Sequence, residues 1–103
     1  MIIHQEKWED VVAVAGSWSA NTISLAGSEL KYILIEAANE TSTFDVKLID
    51  KNSLNIIDAR RNTFRYEKES IIPLLGKYTV QILNSVPTNE TYNILLLIND
   101  NLH

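Results

Sequence analysis

The chain has 103 residues, 46% of them apolar and 21% charged, with 13 acidic against 9 basic side chains and a formal charge of −4. That length fits one domain with a single modest core, and the composition argues against disorder. The acidic balance argues against nucleic-acid binding, which needs a strong positive field. The lack of cysteine removes disulfides, thiol catalysis and zinc–thiolate sites together.

In chain order, the opening Met1 to Asp10 lacks the charged-then-apolar order of a secretory signal, so no secretion signal is expected. The apolar runs Val11 to Ala15 and Ile94 to Ile98 are too short for a signal core or a membrane span. Residues 1–10 read as an N-terminal arm and 11–103 as a single β-sandwich domain.

Two-residue alternation dominates the rest. Phe44, Val46 and Leu48 fall on one strand face with Asp45 and Lys47 on the other, and Tyr78-Thr79-Val80-Gln81-Ile82 repeats the pattern. About eight short strands are expected, near 11–15, 18–25, 30–37, 43–50, 54–60, 63–72, 77–84 and 91–99. Turn chemistry separates them at Gly16-Ser17, Gly27-Ser28, Asn39 to Ser42, Asp50 to Ser53 and Pro87 to Glu90, with a weaker break at Arg61-Asn62. Short strands at this spacing predict an all-β fold, an antiparallel two-sheet sandwich of jelly-roll type. A faint echo runs through the chain. Asn39-Glu40-Thr41 precedes the strand led by Phe44, and Asn89-Glu90-Thr91 precedes the one led by Tyr92. Two hairpin arms obeying one rule account for it.

Catalytic constellations are thin, and no enzyme is expected. The two histidines, His4 and His103, sit at the chain ends, and no nucleophile elbow, P-loop or dinucleotide glycine pattern appears. Asp50-Lys51-Asn52-Ser53 starts like a calcium loop, but Leu54 holds the fifth position and Arg61 the twelfth, so a hairpin turn is expected and no metal. Arg60, Arg61 and Arg65 lie among Asp58, Glu67 and Glu69 and read as a solvated, mixed-sign face. No cofactor site is expected either.

Apolar surface exceeds one core in two places. Leu95 and Leu97 make the second face of the last strand apolar, and Tyr32-Ile33-Leu34-Ile35 does the same. In a two-layer sandwich one face of each sheet normally meets water. Either the arm around Trp8 covers this surface, or another subunit does. Leu95, Leu97 and Trp8 are therefore the candidate interface residues. For the alternative, a carbohydrate- or ligand-binding module, the candidates are Trp8 and Trp18, whose rings stack on sugars if exposed.

The order Trp18-x-x-Asn21-x-Ile23-x-Leu25, Tyr32 to Ile35, Phe44 to Leu48, Ile72-Pro73-Leu74-Leu75-Gly76-Lys77-Tyr78-Thr79-Val80 and Tyr92 to Ile98 carries a resemblance. Over residues 18–98 it resembles the small β-sandwich domains of bacteriophage structural proteins, capsid decoration and tail-associated proteins among them. It is similar, more weakly, to bacterial pre-peptidase C-terminal domains, which usually follow a signal and a catalytic domain, whereas this sequence opens on Met1. The phage resemblance implies a virion component, assembled in the host cytoplasm, that binds itself and a capsid or tail protein and has no nucleic-acid or membrane partner.

Overall fold

The computed structural model describes the backbone of residues 2–14, 16, 18–85 and 88–100, and the side chains of 5–14, 16, 29–69, 78–85 and 88–99. Six strands carry it: β1 (Ile2–Ala13), β2 (Trp18–Ala37), β3 (Thr43–Asp50), β4 (Asn55–Thr63), β5 (Arg65–Asn84) and β6 (Glu90–Asp100). All pairings are antiparallel, in the order β1-β6-β2-β5-β3-β4.

β2 and β5 are 20 residues each and serve two layers. Residues 28–37 of β2 pair with β6, and residues 78–84 of β5 pair with β3. The first layer therefore runs β1, β6, the later half of β2 and the earlier half of β5. The second runs from the earlier half of β2 through the later half of β5 to β3 and β4. Counted as eight segments in chain order, the layers read 1-8-3-6 and 2-7-4-5. That is a jelly roll, the expected antiparallel sandwich.

The alternating apolar positions close the core between the layers. Ile33, Ile35, Ile94, Leu96 and Ile98 face Val46, Leu48, Val80 and Ile82, all fully buried. The aromatic that leads β3 meets the one that leads β6: the Phe44 and Tyr92 rings stand edge to face, 5.1 Å between centroids. β3 and β6 are not ladder neighbours, so this contact spans the two layers.

Three expectations change. The Gly27-Ser28 break and the Pro73 to Gly76 stretch interrupt no strand. The ladder carries Leu25↔Gly76 on to Ser28↔Leu74 with one register shift, so the chain bends between layers without leaving the sheet. Pro73 falls on an outer segment, where strand proline is tolerated. Arg61-Asn62 is not a break but a bulge inside β4. Residues 1–10 are no separate arm, because all but the first belong to β1, and Ile2 to Trp8 pair with β6.

The two halves of the chain repeat. β1, β2 and β3 map onto β4, β5 and β6 about an approximate internal two-fold, down to the register. Phe44↔Asn84 corresponds to Ala37↔Tyr92, and Lys47↔Asp58 to Lys7↔Leu95. Ser85 donates its amide to Thr43 O at 3.1 Å, and Ala38 to Thr91 O at 2.9 Å. The faint echo between the two Asn-Glu-Thr strands is thus a structural repeat.

The repeat extends to the bulges. β1 shifts register between Trp8 and Val11, where Asp10 takes a positive φ of 54° and gives its amide to Asn93 Oδ1 at 3.1 Å. β4 shifts opposite Asp45, where Arg61 takes a φ of 58° and gives its amide to Asp45 Oδ1 at 2.9 Å. The side chain opposite each bulge thus receives the amide the bulge leaves out of the ladder.

Asp45→Ala is expected to cost about 1 kcal/mol in urea unfolding, because it orphans the Arg61 amide. The Tyr92 hydroxyl is buried with no hydrogen-bond partner among the described residues, and burial, with the Glu90 charge behind it, pushes it up to about 12 from an ordinary 10. A raised folded value means the contribution is intact below pH 10 and is lost as pH climbs toward 12. Tyr92→Phe should therefore leave the melting temperature at pH 7 unchanged or higher and flatten the alkaline loss in thermal melts. Tyr32 and Tyr66, both also raised, leave a residual slope.

Candidate interaction surface

The outer face of the first layer is built in rows across its four strands. Register places Lys7, Leu95, Leu34 and Glu67 in one row and Gln5, Leu97, Tyr32 and Glu69 in the next. A third row holds Asn93, Glu36 and Arg65, with Glu9 beside them on the β1 bulge. Because alternate side chains leave a strand on opposite faces, the neighbours Ile94, Leu96, Ile33 and Ile35 fill the core while this set points away from it. Leu34, Leu95, Leu97 and Tyr32 are half-buried and form an apolar centre. Charged side chains from the two flanking strands frame it.

Lys7 Nζ lies 2.8 Å from Glu9. Arg65 reaches Glu67 at 3.0 Å and Glu36 at 3.7 Å. Tyr32 donates its hydroxyl to Glu67 Oε2, and with Arg65 it holds that carboxyl below its ordinary value. A shallow depression of about 210 Å³ opens here, lined by Lys7, Leu34, Glu36, Asn93, Ile94 and Leu95. Fixed charges around an apolar floor suit a protein contact.

Leu95 and Leu97 thus lie together, two residues apart on β6. Trp8 does not join them. It pairs with Ile94, takes the inward parity and packs half-buried against the core. β1 lies beside β6 in the sheet and not across its outer face, so residues 5–9 flank the leucines without covering them. Trp18 opens β2 opposite Leu83, and its side chain lies outside the described ones. Leu34 and Tyr32, members of the same surface, were visible in sequence only as a doubly apolar strand.

The remaining candidates resolve into structural roles. Asp50 Oδ1 accepts the amides of Asn52 at 2.8 Å and Leu54 at 3.0 Å, which makes the calcium-like segment a capped hairpin turn. No metal-binding cluster of His, Asp or Glu occurs among the described residues. The three arginines separate: Arg60 pairs with Asp58 at 3.2 Å, Arg65 joins the first layer, and the Arg61 amide caps onto Asp45. His4 and His103 lie outside the described side chains.

No family model matches the sequence, and no curated protein does. Solved structures share the fold at low identity. A chain of the acid-stable capsid of Helicobacter pylori bacteriophage KHP30 is 13% identical with a TM-score of 0.59, covering 96% of this chain and 95% of that one. The Aeromonas hydrophila periplasmic inhibitor of g-type lysozyme is 12% identical with a TM-score of 0.56, covering 94% and 86%. A Podospora anserina GH26-CBM35 mannanase is 13% identical with a TM-score of 0.55, covering 96% of this chain and 28% of its own. At such identities what is shared is the sandwich, which has been put to a structural, an inhibitory and a carbohydrate-enzyme context.

Proposed function

We propose that this chain is a non-enzymatic virion structural protein, a decoration or tail-associated jelly roll that binds its own kind and a capsid or tail protein. The apolar centre of Leu34, Leu95 and Leu97, on a sheet face that none of the described residues covers, carries this reading. The likeness to the phage capsid chain supports it, since it spans nearly all of both chains. Fold likeness alone assigns no function, so the weight rests on the surface. Leu97→Asp is expected to abolish co-sedimentation with the cognate capsid or tail lattice, and any self-association, while circular dichroism and the melting transition stay native. Global unfolding of that variant would sink the surface reading and make Leu97 a core residue.

A second reading, a carbohydrate-binding module, is favoured by the likeness to the mannanase. It expects specific capture on a glycan array that Trp18→Ala abolishes. An array on which the folded wild-type chain captures no glycan counts against it.

A further inference from the structure

The internal repeat supplies a control for the outer face of the first layer. Its central row reads Lys7, Leu95, Leu34, and the equivalent row of the second layer reads Asp58, Lys47, Gln81. The same backbone positions in the same fold accept a lysine and a glutamine, so the sandwich does not require leucine there. Leu95 and Leu34 serve something outside the chain.

The charges that frame them select the occupant. On one flank stand Lys7 and, paired with it on the β1 bulge, Glu9, and on the other Glu67 and Arg65, with Lys7 and Glu67 in one row. Resting on the reading of this face as a protein-contact surface, we infer that its occupant is a second copy of this chain, docked face to face about a two-fold axis parallel to the strands. Sheets packed in this way keep their strands roughly aligned, about 10 Å apart. That operation lays β1 of one copy over β5 of the other, and β6 over β2. Lys7 then meets Glu67, Glu9 meets Arg65, Leu95 meets Leu34 and Leu97 meets Tyr32, each contact made twice because the interface is isologous.

The pair Lys7–Glu9 of one copy faces the pair Glu67–Arg65 of the other with opposite polarity, which closes a four-charge square of alternating sign. The other in-plane two-fold, perpendicular to the strands and centred on the same row, sets Lys7 over Lys7 and Glu67 over Glu67, and like charges repel. Growth at the sheet edge is disfavoured on both sides of this layer. The Asp10 bulge breaks the free edge of β1, and Pro73 sits on the opposite outer segment.

The test reverses each ion pair without breaking it. One variant carries Lys7→Glu with Glu9→Lys, and a second carries Arg65→Glu with Glu67→Arg. The readout is sedimentation equilibrium over a concentration series at low salt. The wild type is expected to pass from monomer to dimer with rising concentration. Each double variant alone should dimerise at least about tenfold more weakly, because like charges now meet across the interface. An equimolar mixture of the two should recover wild-type affinity as a heterodimer, since each reversed flank then faces a reversed partner. A wild type that stays monomeric throughout overturns the inference. If it also loses lattice binding on Leu97→Asp, the proposed function stands without self-association. Equal dimerisation by wild type and both variants overturns it too and moves the contact to another surface.

Discussion

Everything in this fold hangs on one ladder, the antiparallel pairing of β2 with β5. It runs from Trp18↔Leu83 to Glu36↔Arg65 and passes from one layer into the other. The ladder resumes on both sides of the bulge between Leu25 and Ser28, so the layers are joined by hydrogen-bonded strands as well as by side-chain packing. Each remaining strand then has one place to add: β6 and β1 on one layer, β3 and β4 on the other. The buried positions of β3 and β6 are brought face to face as a result, and the Phe44–Tyr92 contact lies where they meet.

The polar interior is small and placed at the ends of the sandwich. Asn84 is fully buried and donates to Ala13 O at 3.0 Å and Thr88 O at 2.7 Å, which ties the end of β1 to the loop before β6. Ser42, buried after the Asn39 turn, gives its hydroxyl to Glu90 at the start of β6. Buried groups of this kind are costly unless paired. They fix where the strands end, and so they hold the rows of the outer face in register.

Much of this was legible in the sequence because alternation reports burial directly. The segments around Phe44, Tyr78 and Tyr92 place the same side chains inside that the period-two pattern does. The expected strand 43–50 coincides with β3, and 77–84 shares its end with β5 and starts one residue before the ladder with β3. Glycine and proline misled where a corner was made by bending: Gly27 and the Pro73 to Gly76 stretch carry turn chemistry, but the partner strand bends with them and the ladder survives. Trp8 was misjudged for another reason. Its neighbours in sequence do not reveal that it is opposite Ile94, and only the pairing sets which face a strand residue takes. The outer face was half visible, since Leu95 and Leu97 break alternation by themselves, whereas Leu34 and the flanking charges join them only through the pairing of β1, β2 and β5.

The internal repeat leaves the molecule interlocked. Each layer takes two segments from residues 2–50 and two from 55–100, so neither half holds a complete layer or a complete core. The halves are covalently joined only by the exposed hairpin of residues 51–54. In thermodynamic terms that hairpin is a tether: it makes an association between two half-chains unimolecular and sets their effective concentration. A nick there leaves every ladder hydrogen bond in place and still turns a folding reaction into a bimolecular one. Mass action then enters the stability of the domain, and dilution becomes a denaturant.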